Sequence, residues 1–257
     1  MKKFLLSWKN IFQRAGQVLF NTEFFLKTFL VCLKAIPVTL EITLVSFLLS
    51  VLPSYAIAMG RLKNRPVVKK VGALYVSFMR GTPVVLQILI VYSILPSLLN
   101  AFFKKFFPSV NIFDMNPIVY AFIVFTLNTT ATLSEIFRSA MLSVDKGQYE
   151  AALCAGLSHF HAYRRIIFPQ ALGCALPNIC NLTVNLIKNT SLAFMMTVKD
   201  ITAVAKIEAS YGFNYIEAYL DIFVIYLLVC SIVQFFFRLA EKKSKKSGVK
   251  NVKSPRY

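Results

Sequence analysis

The chain has 257 residues, of which 57% are apolar, and its formal net charge is +18 at pH 7. Ordinary globular domains are about 45–50% apolar, so this composition, with a mean hydropathy of +0.62, excludes a typical soluble domain. The basic residues flank long apolar runs, which argues for a membrane and against nucleic acid as the partner.

Five long apolar runs dominate the sequence. A membrane-spanning helix needs roughly 20 predominantly apolar residues. We therefore predict an all-α, polytopic membrane protein with about five transmembrane helices. The runs cover residues 36–60, 81–103, 115–134, 166–187 and 222–237, the last extended upstream through 215–220.

The basic residues predict the orientation of the chain. Clusters of Lys and Arg follow the first and the last run, at 61–70 and 238–256. The positive-inside rule places both clusters, and the connector after the third run, in the cytoplasm. An odd number of spans then puts the amino terminus outside, whereas a cytoplasmic amino terminus requires a different span count.

The ends of the chain are expected to lie outside the transmembrane domain of residues 35–240. Several cations precede the first run, so we predict a basic amphipathic segment over residues 1–34, helical and lying along the membrane interface through residue 30. The basic tail, residues 241–257, is expected to be disordered in the cytoplasm.

Proline interrupts the first two spans. Pro53 lies inside the first span and is expected to kink it, because proline removes one helical hydrogen bond. The second span is predicted to begin near Val71 and to be broken early by Arg80-Gly81-Thr82-Pro83. This tetrapeptide is either a simple helix break with a snorkelling arginine or a hinge near the cytoplasmic face.

The third and fourth spans are too polar to face lipid on all sides. Polar groups at this depth must pair with neighbouring helices or line a wet cavity. In the fourth span, Asn178, Asn181, Asn185 and Lys188 are spaced three, four and three residues apart, which places them on one helix face. The asparagines either bind the ammonium and carboxylate of a zwitterion or hold helices together.

Two charged groups in these spans require partners. An unpaired ammonium at the depth of Lys188 costs about 2.5–3.5 kcal/mol. Its expected partner is Glu41, a backbone carbonyl or a substrate carboxylate; the alternative is that the side chain snorkels toward a membrane face. Glu135 and Arg138 are three residues apart on the third span and form either a local ion pair or a gate contact that breaks during a cycle.

A segment of small residues separates the third and fourth spans, in a loop of about 143–169. Glycine permits a turn with positive φ, and proline suits the first turn of a helix. We therefore predict two short helices outside the bilayer, bent at Gly156, with the chain re-entering at Pro169. The small side chains of the first helix allow another protein to approach closely.

Neither the histidines nor the cysteines form a recognisable metal motif. His159 and His161 have no third ligand nearby in the sequence, and the five cysteines show no C-x-x-C spacing. We expect the histidines to be contact surface and the cysteines to be packing residues, with no metal site and no disulfide.

The loop resembles a known signature, E-A-A-x3-G-x9-I-x-L-P, of the permease subunits of bacterial binding-protein-dependent ABC importers. The match includes Glu150, Ala151, Ala152, Gly156, Ile166 and Pro169, and departs only at Phe168, where leucine is usual. Residues 76–83, 134–138, 145–149 and 188–192 also resemble the polar amino acid branch, and the likeness extends from about residue 35 to 240.

This resemblance implies the type I importer architecture and import as the direction of transport. The implied partners are a second permease subunit of the same or a related chain, ATPase subunits that bind the loop, an extracellular substrate-binding protein and an amino acid, with cystine or a related one as the specific guess. It also implies the bacterial cytoplasmic membrane, and no nucleic-acid partner. The candidates for the translocation path or gate are Arg80, Thr82, Gln87, Asn128, Glu135, Asn181, Asn185, Lys188, Asn189 and Ser191.

The chain is not expected to be an enzyme. Its sequence has no G-x-x-x-x-G-K-[ST] loop for ATP phosphates, so ATP and Mg²⁺ are expected on the partner ATPase, with no cofactor in this chain and no catalytic residue. An ion-gradient-driven secondary amino acid transporter is the alternative, but it should show inverted repeats, which the sequence lacks. A membrane-embedded enzyme should have a nucleophile with a base, or a metal cluster. The third and fourth spans offer amides and hydroxyls, but no histidine and no paired aspartates.

Overall fold

The computed structural model describes residues 20–63, 65–106 and 111–246 of the chain. Within these ranges the chain folds into helices joined by short turns, without a β-strand. The predicted all-α polytopic fold is confirmed. The predictions for residues 1–19 and for the tail beyond residue 246 lie outside the described residues.

The α-helices of this part are α1 (Thr22–Leu33), α2 (Ile36–Leu62), α3 (Pro66–Gly81), α4 (Val84–Phe106), α5 (Ile118–Leu142), α6 (Lys146–Cys154), α7 (His159–Ala162), α8 (Phe168–Thr190), α9 (Ile201–Ser210) and α10 (Tyr215–Lys246). Two 3₁₀ turns, Ile112–Asp114 and Ala193–Met196, and one π turn, Tyr163–Ile167, complete the chain path.

Four described segments are long and apolar enough to cross a membrane: Thr22–Leu62, Val84–Phe106, Ile118–Leu142 and Tyr215–Lys243. The fourth predicted span is α8, whose 23 residues also give a sufficient length at about 1.5 Å per residue. The asparagines of α8 lower its hydropathy. It packs against both α5 and α10, so only part of its surface is left for other contacts.

Helix α1 is packed into the bundle, against α9 and α10. Its Thr28 and Cys32 are buried, and Cys32 belongs to an apolar cluster with Ala205 of α9 and Ile225 of α10. The backbone N–H of Asn21 donates to Glu217 Oε1 at 2.5 Å. The physical reason is the apolar face of α1, which finds a matching surface on α9 and α10.

Small hydroxyl side chains bring α2 and α5 together. The buried residues of α2 include Thr39, Thr43, Ser46, Ser50 and Ser54, which recur every three or four positions along one face. Several hydroxyls donate to carbonyls of their own helix, such as Ser54 to Val51 O at 2.8 Å. Small residues of this kind allow close backbone approach between spanning helices.

The chain breaks where the Arg80–Pro83 motif predicts, but α3 is a separate helix and not the start of the second span. Helix α3 ends at Gly81, and α4 begins at Val84. Helix α3 packs against α2 and α5, so the second span is α4 alone. Helix α2 continues through Pro53 to Leu62 without ending at the proline.

The bundle has two ends that differ in character. We call the end that carries α6 and α7 the loop end, where α2 and α5 finish and α8 begins. We call the other end, formed by the end of α8, by α9 and by the start of α10, the opposite end.

Candidate functional site

The loop between α5 and α8 adopts the predicted bend. Asp145 caps α6 by accepting from Gly147 N at 2.8 Å, and Gly156 follows α6 with φ +83°. No atom lies within 4 Å of the position that a Gly156 Cβ would occupy. The backbone, and not crowding, therefore favours glycine here.

The signature residues of the loop divide between its outer surface and its base. Glu150 and Ala151 are exposed, whereas Ala152 is buried. Ile166 is half-buried and Pro169 is exposed at the base. The outer face of α6 is therefore small and accessible, as a docking surface requires.

Helix α8 begins at Phe168, so Pro169 lies in its first turn as predicted, but no loop separates it from α7. Helix α7 passes through the π turn directly into α8, and the N–H of Phe168 donates to Tyr163 O. A proline ring clashes with the carbonyl four residues earlier in an α-helix. The wider π turn just before Pro169 accommodates the ring without ending the helix.

Aromatic contacts join the loop to the bundle. Tyr149 of α6 bonds His159 of α7, with 2.6 Å between the hydroxyl and Nδ1. Tyr55 of α2 lies edge-on to both Phe137 and Phe168, at 6.2 and 6.3 Å between ring centroids. Phe168, the one departure from the loop signature, thus packs against α2.

Three predicted gate residues form one network at the α3–α4 break. The amide nitrogen of Gln87 donates to the Thr82 hydroxyl at 2.8 Å and to Met79 O at 2.9 Å. Asn128 of α5 donates to Gln87 Oε1 at 3.2 Å. The buried Gln87 side chain thus satisfies carbonyls freed by the break and ties it to α5.

A polar recess of about 300 Å³ opens between α5 and α8. It begins at Asn128 and continues past Thr129 and Thr132 to Asn185, Lys188 and Asn189. Amides and hydroxyls offer both donors and acceptors, and Lys188 adds one positive charge. This chemistry suits a small zwitterion with a carboxylate.

Lys188 has no ion-pair partner among the residues that the structure describes. The proposed pairing with Glu41 is therefore not formed: Glu41 lies on an exposed face of α2. Lys188 is itself exposed on the surface of the subunit. An ammonium group in this position is available to a ligand or to a second subunit.

Three other candidates lie away from the recess. Asn181 shares the exposed stripe of α8 with Asn185 but lines a separate groove near Gln234 of α10. Arg80 is exposed at the end of α3. Ser191 caps α8, with its backbone N–H on Lys188 O at 3.2 Å.

Glu135 is held between two arginines. Arg138 donates to Oε2 of Glu135 at 2.7 and 3.0 Å, and Arg61 at the end of α2 donates to Oε1. The predicted pair within α5 is present, but the contact to Arg61 adds a link between two spanning helices. Arg61 lies 74 residues away in the sequence, so no local spacing could have indicated it.

Sequence reasoning also missed a group of buried acids at the opposite end. Asp200 caps α9 by accepting from Ala203 N at 2.9 Å and Thr202 N at 3.2 Å, and it accepts from the Tyr226 hydroxyl at 3.2 Å. Burial raises the pKa of the Asp200 carboxyl above its usual range, against the effect of these hydrogen bonds. Asp221 is fully buried, and neither carboxylate oxygen has a donor in the described part of the chain.

The fold and the recess together define a class of protein. Helices of spanning length surround a polar recess, and a protruding loop of small residues lies at one end. These are the features of a membrane transport subunit.

Comparison with known proteins identifies the family. Residues 54–246 match the family described as binding-protein-dependent transport system inner membrane component. The L-cystine transport system permease protein TcyL of Bacillus subtilis (strain 168) is 36% identical over 217 residues, which are 84% of this chain and 88% of the relative. The histidine/lysine/arginine/ornithine transport system permease protein HisM of Salmonella typhimurium is 33% identical over 216 residues, or 81% and 87% of the two chains.

Solved structures share the same fold. The structure titled "Crystal structure of an amino acid ABC transporter with histidines" superposes with a TM-score of 0.73 at 25% identity, covering 87% of this chain and 99% of that one. An inward-facing structure of the MetNI methionine ABC transporter gives a TM-score of 0.63 at 15% identity, covering 82% and 95%. The chain belongs to the family of inner membrane components of binding-protein-dependent transport systems, the permease subunits of ABC importers.

Proposed function

We propose that this permease subunit moves a polar amino acid through the recess between α5 and α8, driven by ATPase subunits that bind the α6–α7 loop. The observation that carries the proposal is Lys188, an ammonium exposed beside asparagine and threonine side chains with no carboxylate partner in the described chain. A substrate carboxylate is the complementary group.

The exposed polar stripe of α8 supports a second permease subunit as the facing wall. Asn178, Asn181, Asn185 and Lys188 are all exposed on this helix, although lipid contact would leave them unsatisfied. A second subunit, either the same or a related chain, encloses the stripe and forms a water-filled path. In this arrangement the substrate passes between two subunits.

The α6–α7 loop is the proposed coupling element. Its small, accessible residues allow the loop to enter a groove of an ATPase. Helix α7 continues without interruption into α8. Movement of the loop is thereby transmitted along the helix that carries Lys188. ATP and Mg²⁺ bind the ATPase, and the loop end and carboxyl terminus lie in the cytoplasm, with the amino terminus outside.

Cystine is the proposed specific substrate, delivered by an extracellular binding protein. The names of TcyL and of TcyB from Bacillus subtilis, at 36% and 30% identity, carry this suggestion. An ion-gradient-driven carrier is not supported, since the chain belongs to the importer family.

Uptake by the reconstituted transporter tests the path. Lys188→Met should lower amino acid uptake at least about tenfold, as expected for loss of one charge-assisted contact, while the ATPase still co-purifies. Lys199→Met is the matched control, because Lys199 is an exposed lysine outside the recess. Unchanged uptake kinetics in Lys188→Met would remove Lys188 from the path and overturn the proposal.

Purification from the native membrane tests the assembly. The tagged chain, extracted in mild detergent, should bring down an ATPase in stoichiometric amount, identified by mass spectrometry together with any second permease or binding protein. Absence of an ATPase, under conditions that keep a known importer intact, would contradict the coupling role of the loop.

A further inference from the structure

A second and larger cavity lies at the loop end, outside the polar recess. This groove, of about 840 Å³, runs between the second half of α2, the end of α5 and the α6–α7 loop. On α2 its lining extends from Val51 to Lys63, about 18 Å at the rise of an α-helix. One leaflet of the hydrocarbon core is about 15 Å deep, so the groove has the length of a single leaflet.

The walls of the groove are apolar and accessible. Leu52 is 80% exposed and Phe160 is 65% exposed, while Tyr55 and Phe168 form an aromatic side wall. A groove of this volume with mostly apolar walls is typical of a ligand pocket. The apolar length of the groove along α2 therefore fits a hydrocarbon chain.

The mouth of the groove is basic. Lys63 directly follows α2, Arg164 lies in the π turn, and the lining contains no Asp or Glu. Neither cation forms an ion pair with a carboxylate in the described ranges of the chain. The two charges therefore remain available to an anion at the level where α2 and α5 finish.

We propose that the groove binds an anionic glycerophospholipid, with an acyl chain along Leu52 and Tyr55 and the phosphate between Lys63 and Arg164. Basic pockets between spanning helices on the cytoplasmic side bind anionic headgroups, and the guanidinium of arginine matches phosphate oxygens. The phosphate chemistry alone would also fit free phosphate, but only a lipid occupies the apolar length of the groove.

A lipid in this groove bridges the bundle and the loop. The same cavity is lined by Tyr149 of α6 and His159 of α7, which bond to each other. The lipid therefore braces the α6–α7 loop against α2. The effect of the lipid on coupling rests on the proposed function, in which the loop binds an ATPase. Lipid binding in the groove does not depend on that function.

Lipid retention by the purified full chain, in the assembly that it forms in the membrane, tests the proposal. The protein is equilibrated with mixed vesicles of phosphatidylglycerol and phosphatidylcholine, and retained lipid is measured by native mass spectrometry. Phosphatidylglycerol should be retained in preference. The Lys63→Gln/Arg164→Gln double variant should bind it roughly 25-fold more weakly, about fivefold for each charge, and the control Lys199→Gln should bind normally.

A second variant probes the acyl chain separately. Leu52→Trp places a larger side chain at an exposed position of the groove, so it should reduce retention without disturbing the core. Retention of both lipids equally, with no effect of the double variant, would mean nonspecific lipid contact and overturn the proposal. Displacement of the lipid by inorganic phosphate, or cross-linking of Leu52→Cys to a second permease in place of lipid, would overturn it as well.

Discussion

The two ends of the helix bundle stabilise their carboxylates in different ways. At the loop end, Glu135 is held by Arg61 and Arg138 from two directions. At the opposite end, Asp200, Glu217 and Asp221 are buried, and none of them forms an ion pair within the described residues. Hydrogen bonds take the place of cations there, and the number of hydrogen-bond donors differs among the three acids.

The three acids of the opposite end form a graded series. Asp200 accepts two backbone N–H groups and the Tyr226 hydroxyl, and Glu217 accepts the N–H of Asn21, whereas Asp221 has no donor in the described chain. Burying a carboxyl without a partner costs free energy. The comparison therefore predicts that the same type of substitution will have opposite effects at different sites.

The largest effect is expected at Glu135. Glu135→Gln leaves Arg61 and Arg138 close together without a carboxylate, so the free energy of unfolding should fall by about 2–4 kcal/mol. Thermal unfolding in detergent measures the loss, and a double-mutant cycle with Arg61→Met assigns the share that links α2 to α5. Glu23→Gln, at an exposed position of α1, is the control and should change the free energy of unfolding very little. If Glu135→Gln has as small an effect as Glu23→Gln, the ion pairs of Glu135 with Arg61 and Arg138 do not contribute to stability.

Paired alanine substitutions at the two buried aspartates sharpen the contrast. Asp200→Ala removes a helix cap and leaves the Tyr226 hydroxyl without its acceptor, so it should destabilise the protein by about 2–3 kcal/mol. Asp221→Ala removes an unsatisfied carboxyl from the second turn of α10 and should stabilise the protein by about 1 kcal/mol. The midpoints of thermal unfolding should move in opposite directions.

A loss of stability in both alanine variants would break this comparison. It would mean that Asp221 has a partner in the assembled transporter that the single chain lacks. Unfolding of the purified chain alone and within its complex then separates the two cases, because only the complex would show the loss.

Local spacing explains what the sequence could predict. The loop signature, from Glu150 to Pro169, and the pair Glu135–Arg138 depend on residues close together in the chain. Thr82, Gln87 and Asn128 could be named singly, but their network requires α4 to fold against α5.

Apart from the local cap at Asp200, the opposite end could not be predicted, because the contacts that join its helices are distant in the sequence. Asn21 and Glu217 are 196 residues apart, and Asp221 interrupts an apolar run without a cation nearby in the sequence. The hydroxyl stripe of α2 was visible as a spacing of three and four residues. Length and a low content of charge identify the run as a span, but they do not indicate which of its faces packs against α5.

The smallest effects are expected from the backbone, where the two ends differ again. The loop end places glycine at its left-handed turn, Gly156 with φ +83°, whereas the opposite end has Thr197 and Phe213 at φ 59° and 57°. A left-handed conformation costs a residue with a side chain roughly 1–2 kcal/mol. Gly156→Ala should therefore destabilise the loop by about 1 kcal/mol and weaken co-purification of the ATPase.

Gly81→Ala is the matched control, since Gly81 also has open space around it but ordinary φ, so alanine should be neutral or slightly stabilising there. Phe213→Gly, at a side chain that is 84% exposed, relieves the strained conformation. The gain should stay below about 1 kcal/mol, because glycine also increases the entropy of the unfolded chain. If Gly156→Ala and Gly81→Ala behave alike in unfolding and in co-purification, the positive φ is not the reason for glycine in the loop. The exposed surface of α6 would then account for ATPase binding without any contribution from the bend.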